Sequence, residues 1–559
     1  MTIPATLTGL MMEYPLTITS ILERVPKLFA HREIVSKFPG ETFRYTYADF
    51  YARTHRLAHV LGQLDLEQGD RVGSLCWNSY RHLELYFAVP AYGCVLHTLN
   101  LRLADDQLAY IINHAGDKAL FVDASLLPIV ERIREQIPCV EKIVVIPDAP
   151  HEEASDYEAL LAAAPADPFA WPDLNELAAC AICYTSGTTG NPKGVLYTHR
   201  AMYLHSMSLG LADNFGFCER DVILQMVPMF HANGWGMPYA AIMNGSKLVL
   251  SGRQLQPPDI AYLIESERVT FSAGVPTLFM GLYAHLEAHG GDISSMRTAA
   301  VAGSAMPRQF VELFLKKYNL EFRLAWGMTE TTPIVTVNVL TTSQDSLSEE
   351  ERIDALARHG RVAPGCELRI LGDDHTEVPW DGKTMGELQV RGAWVASSYY
   401  KDPRPEEDAA QSFDHGPHGE LWFRTGDVAT IDSEGLIQIM DRTKDLVKSG
   451  GEWISSVDLE NLIMGHPKVA EAAVIGIYHP KWEERPIACV AALPEHRGVI
   501  TKEEILEYLR PHVAKWWLPD DVVFIEAVPK TSVGKFNKRA LRAQFADYRL
   551  PGSKQDADR

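Results

Sequence analysis

The sequence predicts an α/β protein. A large N-terminal domain of layered sheets and helices carries a β-rich subdomain, and a small α+β C-terminal domain follows. Three observations predict this. Short apolar runs alternate with helical patterns through most of the chain, the rhythm of βαβ units whose strands pair in parallel beneath helices. Between residues 365 and 440 the rhythm shortens to strand, turn, strand. Beyond Asp441 two helix-start signatures and two strand-like runs recur within about 120 residues, enough to fold as a separate unit.

Taken in order, the strand candidates of the first region are Ala181–Tyr184, Val222–Val227, Lys247–Leu250, Thr270–Ala273 and Thr298–Val301. Between and after them, Pro257–Glu267 and Pro307–Tyr318 read as helices. The second opens on proline at the first helical position, where the missing N–H costs nothing. Glu387–Arg391, Leu421–Phe423 and Leu436–Met440 are the short strands of the β-rich part. Ser455-Ser-Val-Asp458 and Thr501-Lys-Glu-Glu504 have the spacing of capping boxes, and Ala470–Ile477 and Ile487–Ala492 read as strands between them. These patterns divide the chain near residue 441. No internal repeat appears, and Pro551–Arg559 is expected to fray.

Composition narrows the function classes. A chain of 559 residues that is 46% hydrophobic and 22% charged buries a large core without disulfide staples. Its 52 Lys+Arg against 73 Asp+Glu leave a net charge of −21. Nucleic-acid binding normally starts from a basic face, so that class is disfavoured, as is docking on anionic membranes. The cysteines are scattered and make no disulfide framework. Cys180 and Cys183 share a strand-like apolar run, and no second Cys/His pair completes a zinc site. The first residues lack a charged, then apolar, leader pattern. No apolar run approaches the roughly 18 residues of a membrane span. A cytoplasmic protein without a membrane span is the expectation.

The strongest local signal is Tyr184-Thr-Ser-Gly-Thr-Thr-Gly-Asn-Pro-Lys-Gly-Val195. Glycines let backbone N–H groups turn toward an anion, hydroxyls add donors, and a lysine adds charge. Thr185, Ser186, Gly187, Thr188, Thr189, Gly190 and Lys193 are therefore candidate phosphate contacts. The spacing is not that of a Walker A loop. Gly382-Lys383-Thr384 is a fragment of one, but position 377 is Glu377, and no Gly-x-Gly-x-x-Gly stands around Gly234 and Gly236.

Thr185–Val195 resembles the phosphate-loop signature of the adenylate-forming superfamily. Further motifs follow in that superfamily's order. They are Pro228-Met-Phe-His-Ala-Asn-Gly-Trp235, Ala302-Gly303-Ser304-Ala305, Trp326-Gly-Met-Thr-Glu330, Trp422-Phe-Arg-Thr-Gly-Asp427, Asp441-Arg-Thr-Lys-Asp445 and Pro529-Lys-Thr-Ser-Val-Gly-Lys535. Lys448-Ser-Gly-Gly-Glu-Trp-Ile-Ser-Ser456 and the Trp235 segment most resemble bacterial medium- and long-chain fatty-acyl-CoA ligases, with methylthiopropanoate-CoA ligases similar too.

The resemblance implies an ATP-dependent acyl-CoA ligase. A carboxylate is a poor acyl donor, so it is first joined to AMP with loss of pyrophosphate, and CoA then takes the acyl group. Two anions must meet in the first step, which calls for cations and oriented donors where charge develops. By the same resemblance Lys535, Glu330 and His231 are the catalytic candidates. Mg2+ is the implied cofactor, contacted by Thr185 and Glu330, with ATP and CoA as co-substrates. Gly303, Ser304, Ala305, Trp326, Gly327, Met328 and Thr329 line the nucleotide, with Trp326 where the family more often has tyrosine. Asp427 holds the ribose, and Arg442 is a second ribose or phosphate contact. His231, Trp235 and Gly303 border the acyl group, Trp235 as gate or as core packing and His231 as a carboxylate contact or a packed histidine. Lys448, Ser449, Gly450, Gly451 and Trp453 face CoA after a mobile C-terminal domain, residues 446–559, rotates against residues 1–440 on a hinge at 441–445, about Lys444. The implied partners are small molecules, and family analogy allows a homodimer. A short thioether acid, or loading of a separate carrier protein, are the alternatives within the same chemistry.

Overall fold

The computed structural model describes residues 10–150, 156–185, 191–253, 255–402, 404–450, 452–531 and 535–550. Two largely parallel sheets form the body. The first has nine strands in the order Arg361–Val362, Ile334–Val337, Glu321–Gly327, Thr298–Val301, Phe271–Gly274, Val222–Gln225, Lys247–Leu250, Glu33–Phe38, Glu41–Thr46. Its six inner strands run parallel, and antiparallel pairs close both edges. The second has six strands, Lys142–Ile146, Asp117–Asp123, Arg71–Leu75, Val95–Thr98, Ala179–Tyr184 and Gly194–Thr198. Only its last pair is antiparallel.

Both sheets bury apolar side chains on their two faces, as parallel sheets must. Helix Tyr80–Tyr92 packs between them and is buried along its whole length. Helix Pro257–Glu267 matches the sequence expectation residue for residue. In the other predicted helix Pro307 takes the N-cap position, with φ −58° and ψ 132°, so the helix proper is Arg308–Tyr318. The strand expected over Val222–Val227 ends at Gln225. There the Asn78 side chain takes over the pairing, its amide donating to the carbonyls of Gln225 at 3.1 Å and Val227 at 2.9 Å.

The β-rich part is a sheet of Cys366–Leu371, Gly386–Gly392, Leu421–Ile431, Phe413–His415 and Ile437–Arg442. Leu421–Ile431 runs well past the expected Leu421–Phe423. Arg-Thr-Gly-Asp within it is a bulge, with the pairing register shifting opposite it and Gly426 at φ +70°.

Beyond the linker, Glu452–Ile454, Val447–Ser449, Glu483–Ala492, Val469–His479 and Asp521–Phe524 form one sheet. Successive residues of its long strands face different cores, Val474 with Leu459 and Ile505 on one side, Ile475 with Val528 and Leu541 on the other. Ser455 and Thr501 cap their helices as the spacing predicts, accepting from the N–H groups of Asp458 and Glu504. Among the described residues no helix is long and apolar enough to cross a membrane, and no cluster of three metal-ligating side chains occurs.

Candidate active site

Four adjacent parallel strands of the nine-stranded sheet end on one side of a cavity of about 1650 Å3. The segments following them supply its wall: His231, Ala232 and Trp235 after Gln225; Pro276 and Thr277 after Gly274; Ala302–Ala305 after Val301; Met328, Thr329 and Glu330 after Gly327. Backbone groups freed at carboxyl ends of parallel strands make this the usual place for a ligand in an open α/β sheet.

The phosphate-loop candidate connects the antiparallel strands Ala179–Tyr184 and Gly194–Thr198 of the other sheet. Its base is closed twice. Thr185 N–H donates to the Lys193 carbonyl at 2.9 Å, and Lys193 N–H donates to Thr185 Oγ1 at 3.1 Å. Thr185 and Lys193 both line the cavity. Ser186, Gly187, Thr188, Thr189 and Gly190 lie outside the described residues.

The segment Ala232–Gly236 is an unusual piece of backbone. All five residues have positive φ, from 37° at Ala232 to 69° at Gly236, and Trp235 stands at 57°. Left-handed conformation costs an L-residue with a Cβ on the order of 1 kcal/mol, so neighbours must impose it. They do. Gln225 Nε2 donates to the Gly234 carbonyl at 3.2 Å, and Thr98 Oγ1 donates to Asn233 Oδ1 at 3.1 Å. The result turns the Trp235 indole, only 5% exposed, into the cavity wall. His231 lines the cavity beside it, and burial with the nearby Lys535 and Arg102 charges pushes its pKa down to about 3. It is a neutral imidazole at any ordinary pH.

Lys535 comes from the far end of the chain and is buried in this same cavity. Burial, then the Arg442 charge, pushes its pKa down to about 8, while Asp427 and Glu330 oppose the shift. Its passage depends on Gly303. A Cβ at that residue, whose φ is +89°, would sit 3.3 Å from both Lys535 Cε and Val275 Cγ1.

Asp427, turned inward at the Gly426 bulge, is buried and accepts a hydrogen bond from Trp326 Nε1 at 2.8 Å. Arg442 Nε lies 3.4 Å from its other oxygen. Burial raises the Asp427 pKa against the pull of Arg442, Trp326 and Lys535. Trp326 thus has a role that its spacing alone does not suggest, since its polar edge orients Asp427.

Glu330 is also buried, and Tyr399 OH donates to its Oε1 at 2.6 Å. Gly327, Met328 and Thr329 line the same wall. The Thr329 carbonyl accepts from Tyr197 OH at 2.7 Å. Tyr399, Asp402 and Arg404 join the cavity without any local sequence signal, because they lie on an irregular stretch after strand Gly386–Gly392.

Lys444 lines the cavity as well, its pKa lowered first by burial and then by Arg442. The remaining candidates stand elsewhere. Lys448 is exposed, with Nζ 3.6 Å from Glu483, and it lies 5.8 Å from the Trp453 ring centre. Ser449 Oγ accepts from Arg485 at 3.0 Å, and Gly450 N–H donates to the Trp482 carbonyl at 2.8 Å. None of Lys448, Ser449, Gly450 and Trp453 lines the cavity, and Gly451 lies outside the described residues.

Lys538, three residues after Lys535, is buried too. Its ammonium lies 2.8 Å from Glu460 and 3.9 Å from Asp441, and it bonds Ser456 Oγ. Asp441 Oδ2 accepts from Ser456 N–H at 3.0 Å. This cluster ties the start of helix Ser456–Met464 to the end of strand Ile437–Arg442. It also seats the segment carrying Lys535.

The model of the AMP-binding enzyme family matches residues 22–400, and that of the AMP-binding enzyme C-terminal domain matches residues 458–535. A long-chain-fatty-acid–CoA ligase of Thermus thermophilus is 47% identical over 540 residues, covering 96% of this chain and 97% of the relative. A 3-methylmercaptopropionyl-CoA ligase of Ruegeria lacuscaerulensis is 41% identical over 548 residues, covering 96% of this chain and 99% of the relative. The crystal structure of ATP-bound MatB from Rhodopseudomonas palustris superposes with a TM-score of 0.81 at 25% identity, covering 96% of this chain and 99% of that one.

Proposed function

The chain belongs to the AMP-binding enzyme family, as an AMP-forming acyl-CoA ligase, and from that premise we propose that its acid is a medium- or long-chain fatty acid. The acid is joined to AMP with loss of pyrophosphate, and the acyl-adenylate is then attacked by the CoA thiol. The observation that carries the reading of the site is the burial of Lys535 against Gly303, within the field of Glu330 and Asp427. A point charge on a flexible stem suits the meeting of a carboxylate with an α-phosphate.

Lys193, the Thr185 hydroxyl and the loop 186–190 hold the phosphates in this reading. Gly303, Ser304 and Ala305 with Trp326 border the adenine, and Asp427 and Arg442 take the ribose. His231, neutral at working pH, orients the acid by a hydrogen bond and does not transfer a proton. Trp235 guards the entry of the acyl chain. Glu330 and Thr185 offer hard oxygen donors but too few for an all-protein cage. That fits Mg2+, which keeps waters and phosphate oxygens around it and offsets their charge when bound.

For the second half-reaction the unit from residue 446 onward turns about Lys444. Lys448, Ser449, Gly450, Gly451 and Trp453 then take the place of Lys535 and guide CoA. The split at 441–445 belongs to this proposal.

A short thioether acid is the second reading, favoured by the 41% identity to the Ruegeria ligase. Thioester formation measured with acids of two to sixteen carbons, and with 3-methylthiopropanoate, decides between them. A maximum at eight carbons or more supports the first reading. A maximum at 3-methylthiopropanoate, with no turnover of longer acids, replaces it by the second.

A further inference from the structure

We propose that Tyr399 is the positioning residue of the phosphate end of the site: its hydroxyl fixes the Glu330 carboxylate, and its ring seats the Lys193 and Arg404 cations. The proposal rests on the reading of Glu330 as the metal contact.

The stretch that carries Tyr399 is irregular but held. Ala396 N–H donates to the Glu330 carbonyl and Tyr400 N–H to the Gly194 carbonyl, each at 2.8 Å. Upstream, Thr332 Oγ1 donates to the Trp394 carbonyl at 2.7 Å and Trp394 Nε1 to the Ile334 carbonyl at 3.0 Å. Tyr399 therefore sits between two fixed points, one on the wall carrying Glu330 and one just beyond the phosphate loop.

Its hydroxyl donates to Glu330 Oε1 at 2.6 Å. A carboxylate with one oxygen committed cannot spin about its last bond, and its other oxygen gains a defined direction. Partners of this kind orient metal-contacting groups, and their loss weakens metal affinity.

The ring does separate work. Lys193 Nζ lies 4.6 Å from its centre and the Arg404 guanidinium 5.5 Å from it. An aromatic face attracts both cations, which otherwise repel each other; burial first, and then the Arg404 charge, lowers the Lys193 pKa. Asp402, 2.7 Å from Arg404, completes the balance and also lines the cavity. Hydroxyl and ring can be removed separately.

The test uses Tyr399→Phe, Tyr399→Leu and Glu330→Gln in the full chain. Mn2+ binding to the enzyme–ATP complex, without acid, is followed by electron paramagnetic resonance, and ATP binding in EDTA by calorimetry. Tyr399→Phe should weaken Mn2+ by roughly tenfold, raise the Mg2+ needed for acyl-adenylate formation in parallel, and leave metal-free ATP affinity unchanged. Tyr399→Leu should lose ATP affinity in EDTA as well. Wild-type Mn2+ affinity in Tyr399→Phe, with weakened affinity in Glu330→Gln, overturns the positioning role. Wild-type affinity in Glu330→Gln overturns the reading of Glu330 beneath it. Melting temperatures report any purely structural loss, which would leave metal affinity where it was.

Discussion

Lys535 concentrates the chemistry of the site in one side chain. Replacing it by alanine removes the cation that packs against Gly303 from the C-terminal unit, and acyl-adenylate formation should fall by roughly 10² to 10³. Thioester formation from supplied acyl-adenylate should fall far less, because the lysine is not needed there. Pyrophosphate release and thioester formation measured separately check this; equal losses would remove Lys535 from the first step. Its pKa of about 8 adds a pH dependence. The charged form is present below that value and lost above it, so kcat/KM for adenylation should decline as pH rises through about 8. Stability moves the other way. The folded pKa lies below the ordinary 10.5, so between those values the unfolded chain holds the extra proton and stability rises with pH. Lys535→Ala should flatten that rise in a denaturation series.

At the scale of elements, the left-handed turn Ala232–Gly236 is the feature that most directly shapes the acyl side. Trp235 is a bulky residue at positive φ, held there by Gln225, Asn233 and their partners. Trp235→Gly and Trp235→Ala open the same space, but glycine adopts this backbone freely. The glycine variant should be the more stable of the two by about 1 kcal/mol, despite having the smaller side chain. Both should shift the preferred acid length while leaving KM for ATP near wild type. A uniform loss over all acids would make Trp235 a packing residue only. The bulge at Gly426 is the matching device on the nucleotide side, since it aims Asp427 where a regular strand would bury or expose it without direction.

Over the whole molecule, the decisive contacts join the two units on either side of residues 441–445. Ser455 Oγ donates to the Met440 carbonyl at 2.6 Å, Ser456 N–H to Asp441 at 3.0 Å, and Lys538 pairs with Glu460. These bonds seat the C-terminal sheet on strand Ile437–Arg442 and deliver Lys535. The Ser455 and Ser456 bonds span the proposed pivot, so a rotation about Lys444 must exchange them for others. Proline at 444 confines φ to near −65° and should forbid one of the two arrangements. Lys444→Pro is expected to keep acyl-adenylate formation and lose most acyl transfer to CoA. Equal effects on both half-reactions would refute the pivot.

Several strands and two helices beyond residue 180, the candidate phosphate loop and the identity of the motif residues were legible in the amino-acid order. Their signals are local: apolar periodicity, caps, and a run of glycine and hydroxyl residues around Lys193. What brings Lys535 to Gly303, or Trp326 to Asp427, spans a hundred residues or more, and no local pattern records it. Tyr399 illustrates the limit. It lies in an irregular stretch and carries no motif of its own, and its position follows from backbone bonds to Gly194 and Glu330. The strand read over Leu421–Phe423 runs on to Ile431, because only its neighbour strand reveals that pairing resumes beyond the Arg-Thr-Gly-Asp bulge. The sequence by itself determined which chemical groups the protein has and which elements carry them. Only the tertiary structure decided which of those groups meet, because long-range packing, not local preference, sets the distances between them.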